Sequence, residues 1–291
     1  MARHFLTGEE LTADELNGIV ERAIELKRDR LASRALDGLS VALVFDRPST
    51  RTRVSFETGV FELGGRPLVL REGELQLARG ESPRDTALVL SRMVHAIAIR
   101  TGPHAIVEEL AEHSAIPVIN MLTYEHHPCQ ALADLTTLRE RFGQLAGLKL
   151  AYVGDGNNVA RSLLIASRIA GIEFAIATPA ELALPELESQ PLDEAVAGAH
   201  AIYTDVWVSM GDEDDADRRR ALLAPYELDE ALLAKARDDA IALHCLPAHP
   251  GEEISEGVLY GERSAVWDQA ENRLHAQKAL LELLFFYSSP R

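Results

Sequence analysis

Short apolar runs alternate with longer amphipathic stretches along most of the chain. Val41-Ala42-Leu43-Val44-Phe45 is continuous, apolar and partly β-branched, and reads as a buried strand. Pro67 to Leu70, Ala96 to Ile99 and Ile116 to Asn120 read as further strands. Between them lie helical patterns. Thr12 and Glu15 form a capping box ahead of an apolar face of Leu16, Ile19, Val20, Ala23, Ile24 and Leu31. Ser49 is placed to cap a helix whose apolar positions are Val54, Phe56, Val60, Phe61 and Leu63, closed by Gly64-Gly65. Ser82-Pro83 opens another, and His104 to His113 a fourth.

The alternation then repeats. A helix through Leu132, Leu135 and Leu138 precedes strands at Leu148 to Val153, Phe174 to Ala177, Ala199 to Tyr203 and Ala240 to Leu243. Ser264 to Trp267 reads as a last strand, and Glu271-Asn272-Arg273 opens the final helix through Leu284. Strands alternating with helices imply parallel sheets. The expected fold is α/β, with two doubly wound domains, each a mainly parallel sheet flanked by helices. The 291 residues suit two domains. The expected division is 1–126, completed by 270–291, and 127–269.

Ligands of such sheets gather beyond the carboxyl ends of the strands. Ser49 to Arg53, the loop around Gln76, and Arg100 all fall there. The helix start at Ser49 offers unpaired N–H groups and the positive end of a dipole. Three hydroxyls (Ser49, Thr50, Thr52) and three arginines (Arg47, Arg51, Arg53) surround it. Cations there oppose the helix dipole, so a bound phosphate gives them a purpose.

Composition sharpens this. The net charge is −17, which argues against nucleic acid or an anionic membrane as partner. An anionic substrate then has to be captured by local positive charge. The two cysteines, Cys129 and Cys245, form no disulfide framework and suit a reducing, cytoplasmic location. The first residues turn polar too soon for a signal peptide, and no apolar run approaches ~20 residues, so no membrane span is expected. His126, His127 and Cys129 fit no common zinc spacing. Gly154-Asp155-Gly156 lacks the third glycine and the later acid of a dinucleotide site. Asp212 to Asp215 reads as a solvated acidic tip.

The stretch Ser49-Thr50-Arg51-Thr52-Arg53-Val54-Ser55-Phe56-Glu57 resembles the carbamoyltransferases. His127-Pro128-Cys129-Gln130 narrows the resemblance to the ornithine carbamoyltransferases, since the aspartate enzymes typically carry Thr in place of the Cys. Asp205-Val206-Trp207-Val208-Ser209-Met210-Gly211 is similar to that family's ornithine-side loop, and His244-Cys245-Leu246-Pro247 completes the pattern. The resemblance spans nearly the whole chain. One departure is the short 180–192 segment, where the family has an extra helix and strand.

The resemblance implies carbamoyl transfer from carbamoyl phosphate to the side-chain amine of L-ornithine, giving L-citrulline and phosphate without metal or cofactor. It also implies a role for each matching residue. Ser49, Thr50, Arg51 and Thr52 hold the phosphate. Arg100 bridges phosphate and carbonyl oxygen, His127 polarises that oxygen, and Gln130 and the Leu246 carbonyl take the amino group. Arg273 adds a cationic contact from the last helix. Asn158, Asp205, Ser209 and Met210 hold ornithine, and Cys245 steers the amine's proton as base or as orienting group. Gln76 reaches carbamoyl phosphate in a neighbouring subunit, so a homotrimer or an assembly of trimers with shared sites is expected. Two other classes stand against this: a sibling transferase for putrescine or an acylated ornithine, and a non-catalytic binding protein of the same fold.

Overall fold

A computed structural model describes residues 2–71, 73–74, 80–208 and 213–288. The chain divides into two compact units, Met1–Thr136 with Glu271–Arg291, and Thr137–Ala270. The first carries α1 (Ala13–Arg28), β1 (Ser40–Phe45), α2 (Thr50–Glu62), β2 (Arg66–Arg71), α3 (Pro83–Leu90), β3 (Ala96–Arg100), α4 (His104–His113) and β4 (Val118–Leu122). Next, α5 (Pro128–Phe142) runs across the boundary. The second unit carries β5 (Lys149–Val153), α6 (Asn158–Ala170), β6 (Glu173–Ala177), α7 (Leu192–Val196), β7 (Ala201–Thr204), α8 (Ala216–Leu223), α9 (Glu230–Leu233), β8 (Ile241–His244) and α10 (Glu256–Leu259). The chain ends in α11 (Val266–Ser288).

Each unit holds a four-stranded sheet, in the orders β2-β1-β3-β4 and β6-β5-β7-β8. Every pairing is parallel. In both, the first strand in sequence sits inside the sheet and the chain winds outward on either side of it. That arrangement puts a topological switch beside β1 and beside β5. β1 and β3 are buried nearly throughout, which is why their sequences are apolar without alternation. The cores are small aliphatics: Ala42, Val44, Ile97, Ile99, Val107 and Val118 in the first unit, and Ala151, Val153, Ala177, Ile202 and Ala242 in the second.

Local chemistry sets the helix starts. The Thr12 hydroxyl accepts from the Glu15 N–H while the Glu15 carboxylate accepts from the Thr12 N–H. Ser82 accepts from the Asp85 N–H, with Pro83 in the first turn. Elsewhere the structure differs from the periodicity. α1 ends at Arg28 and leaves Leu31 exposed, and Leu26 is the buried residue of its last turn. On α2, Val54 and Phe61 face solvent while Phe56, Val60 and Leu63 are buried. Ser264 to Trp267 is no strand. Ser264 makes one isolated bridge to Ala242, and α11 has begun by Val266. Residues 180–192 give a single 3-10 turn, Ala180–Leu182, before α7 begins at Leu192, and β6 is the outer strand of its sheet. Among the described residues no helix is long and apolar enough to cross a membrane.

Candidate active site

In the first unit, β1 ends at Phe45 and Ser49 begins the next helix in extended conformation. Its hydroxyl accepts from the Thr52 N–H at 3.3 Å. The first turn of α2 contains no acid, so the positive helix end is not neutralised locally. Thr50 is exposed, Arg51 half-buried and Thr52 fully buried. Arg273 of α11 donates to the Thr52 hydroxyl, bringing a residue far along the chain to this helix start. Arg100 is the last residue of β3 and is buried, as is Arg273.

His127 precedes α5 and is 2% exposed. Burial, followed by the charges of Arg273, Arg100 and Arg51, holds its imidazole well below the ordinary histidine range. The ring is therefore neutral near pH 7, with three guanidinium charges close enough to act on it. Gln130, in the first turn of α5, donates its side-chain N–H to Asp134 at 2.8 Å. Its Oε1 is buried with no partner among the described residues. This orphaned acceptor can receive an amide N–H. Cys129 donates to the Asn120 carbonyl at 3.3 Å, and burial pushes its thiol up to about 12, so it is an inert core residue.

In the second unit, Asn157 caps α6, its Oδ1 accepting from the Val159 and Ala160 N–H groups at 2.9 and 3.2 Å. Its Nδ2 donates to Asp205 Oδ2 at 2.8 Å. Asp205 follows β7 and is buried. Gly156 fits because a Cβ there would lie 2.3 Å from the Leu182 carbonyl oxygen. Cys245 follows β8, is half-buried and forms no disulfide. Leu246 has a φ of 63°, which L side chains rarely adopt, and its N–H donates to His244 Nδ1 at 2.7 Å. That acceptor role leaves the ring proton on Nε2, 3.1 Å from the buried Glu253 carboxylate. Gln269 accepts from the His244 N–H at 2.9 Å. The peptide at Leu246 is thus fixed from several sides.

Of the residues named from sequence, Arg51, Thr52, Arg100, His127 and Arg273 come together in the first unit, with Ser49 and Thr50 at the same helix start and Gln130 on the next turn. Asp205 and Cys245 belong to the second unit, both close enough to Tyr152 to act on its phenol, which burial pushes well up. Asn158 is the first residue of α6. Gln76, Ser209 and Met210 lie outside the described residues. Sequence reasoning missed Arg219 and Glu253. Arg219 donates to the Trp207 carbonyl at 3.0 Å and pairs with Asp155, tying the chain after β5 to the chain after β7. Nothing in Arg218-Arg219-Arg220 marks the middle one, yet only it turns inward.

Burial is the main reason that the Asp205 carboxyl is raised, with His244 and the Asn157 hydrogen bond opposing it. The folded chain therefore holds this proton more tightly than the unfolded chain does. Stability falls as pH rises through that interval. Asp205→Asn should then stabilise the fold by about 1 kcal/mol above that interval. Thermal unfolding across pH checks this, and a destabilised variant would contradict it.

The carbamoyl-P binding domain model of the aspartate/ornithine carbamoyltransferases matches residues 3–140, and the Asp/Orn binding domain model matches 146–284. An ornithine carbamoyltransferase of Acidothermus cellulolyticus is 51% identical over 98% of this chain and 97% of its own. One of Methanoculleus marisnigri is 50% identical over 97% and 96%. Among solved structures, the ornithine carbamoyltransferase from Pyrococcus furiosus aligns with a TM-score of 0.92 at 44% identity, covering 96% of each chain. That from Thermus thermophilus gives 0.91 at 41%, over 98% and 99%. With the two family models together matching residues 3–140 and 146–284, and relatives about half identical over nearly their whole length, the chain belongs to the aspartate/ornithine carbamoyltransferase family, among its ornithine carbamoyltransferases.

Proposed function

We infer that the protein transfers the carbamoyl group of carbamoyl phosphate to the side-chain amine of L-ornithine, releasing L-citrulline and phosphate. The observation that carries this is the pairing of a neutral, buried His127 inside three guanidinium groups with the orphaned Gln130 acceptor. A phosphate bearing a planar carbamoyl group suits such a set. Ser49, Thr50, Arg51 and Thr52 take the phosphate, with Arg273 behind Thr52. Arg100 spans phosphate and carbonyl oxygen. His127 donates to the carbonyl oxygen, which gains negative charge as the amine attacks. Gln130 Oε1 and the Leu246 carbonyl accept from the carbamoyl NH2 group. Donors fixed in advance toward developing charge are the largest catalytic contribution expected here.

Ornithine takes the second unit's groups: Asn158 and Asp205 for its amino-acid head, with Ser209 and Met210 completing the contacts. Its side-chain amine has an ordinary pKa of about 10.4, so the neutral form costs about 4–5 kcal/mol near pH 7. Cys245 steers loss of that proton. The carbamoyl C–O bond to phosphate breaks as the new C–N bond forms. The chemistry assigns no step to a metal or organic cofactor. Measuring transfer to ornithine, putrescine and N-acetylornithine side by side tests the acceptor. A preference for ornithine of at least about a hundredfold is expected, because removing the head group leaves buried Asp205 without its partner. Faster transfer to putrescine or to acetylornithine would overturn the assignment.

The protein acts in the cytoplasm as a homotrimer, or an assembly of trimers, in which Gln76 of one subunit completes a neighbour's site. The exposed Val54 and Phe61 on α2 support an interface between copies. Gln76→Ala and Cys245→Ala, each strongly impaired, should regain activity above either parent when unfolded and refolded together. A mixture that only averages its parents, with mixed oligomers present, would contradict shared sites.

A further inference from the structure

The rim of the phosphate site carries a pair that the mechanism above does not use. Arg47, two residues before Ser49, donates a guanidinium N–H to the Tyr124 hydroxyl at 3.0 Å. Tyr124 lies three residues before His127, and its own N–H donates to the carbonyl of Gly102 at 2.8 Å. Gly102 follows Arg100 by two. A Cβ at Gly102 would sit 2.8 Å from Tyr124 Cε2 and 2.9 Å from Cζ, so the ring rests directly on that backbone. The loops after β1, β3 and β4 are thus laced together at their carboxyl ends. Asp46 joins the lacing, its N–H donating to the Arg100 carbonyl and its carboxylate accepting from the Thr101 hydroxyl at 3.1 Å.

Both partners remain reachable from solvent. Arg47 is exposed and Tyr124 is 45% exposed, unlike the buried Arg100, Arg273 and His127. A free arginine at a loop tip samples many rotamers, and ordering such a side chain costs free energy on each binding event. The phenol removes that cost by holding one guanidinium N–H. In a chain of net charge −17, an approaching phosphate dianion meets a repulsive field, and a fixed cation at the rim offsets it most.

We propose that Tyr124 is a positioning residue that holds Arg47 at the mouth of the site as an outer capture point for the phosphate group of carbamoyl phosphate. This rests on the reading of Ser49 to Thr52 as the phosphate site. Glycine at 102 is then required by the ring above it, not by its own backbone.

Kinetics on the intact enzyme test the pair. Tyr124→Phe keeps the ring on Gly102 and deletes only the hydroxyl. It should raise KM for carbamoyl phosphate by about five- to tenfold, with kcat and the KM for ornithine changed by less than about twofold. Arg47→Ala should do the same and should flatten the salt dependence of kcat/KM for carbamoyl phosphate. The double variant should be no worse than Arg47→Ala alone, since the hydroxyl acts through the guanidinium. Gly102→Ala, which displaces the ring, should resemble Tyr124→Phe. If Tyr124→Phe leaves KM for carbamoyl phosphate unchanged, or if the two single effects multiply, the pair has no such role. Arg51→Lys separates the two levels of the claim. Collapse of its turnover alongside a silent Tyr124→Phe removes only the outer pair, whereas near-normal turnover removes the phosphate site and the pair with it.

Discussion

Positive charge concentrated inside an acidic protein is the constraint on which the first unit depends. Arg51, Arg100 and Arg273 are brought around one buried histidine, though the chain as a whole carries an excess of seventeen negative charges. Like charges at close range repel strongly where water is scarce. The fold tolerates the crowding by keeping His127 neutral and by anchoring Arg273 on the Thr52 hydroxyl. A phosphate dianion would relieve the repulsion, which is why the proposed function places the phosphate group here. A neutral imidazole in this setting is a hydrogen-bond donor, not an added cation.

The second unit solves the opposite problem. Asp205 is buried, and Asp155 is buried on the neighbouring strand end. Each has its own partner: Asn157 serves Asp205, and Arg219 serves Asp155. With Asp155 paired to Arg219, Asp205 is the carboxylate that the proposed function assigns to the ammonium group of ornithine. The His244–Glu253 pair fixes the Leu246 peptide beside Cys245 in the same way. In both units the candidate site residues sit beyond the carboxyl ends of parallel strands, and side chains from other elements hold them there. Preorganisation of this kind lowers the cost of ordering when substrate arrives.

Local rules made much of this legible from sequence. Ser49, Thr12 and Ser82 start helices because a hydroxyl satisfies N–H groups that the helix leaves open, and this is written in a few adjacent residues. The apolar runs at Val41, Ala96 and Leu148 are strands because both faces of a parallel sheet are covered. Where tertiary context decides, the sequence was silent or misleading. Val266 is apolar and β-branched, yet it begins a long helix because the strand pattern there is limited to one bridge at Ser264. Phe61 fits a helical period but faces solvent in the single chain. Arg219 cannot be told from Arg218 or Arg220 without knowing that Asp155 and the Trp207 carbonyl lie on one side of α8. The orphaned Gln130 oxygen became visible only when Asp134 was seen to hold the other end of the amide.

Calorimetric titration with inorganic phosphate, the product's own anion, tests most directly whether the arginine cluster is an anion site. The account predicts saturable binding at one phosphate per chain, heat that diminishes steeply with added salt, and displacement by carbamoyl phosphate. Absence of saturable binding, or phosphate that carbamoyl phosphate does not displace, would contradict it.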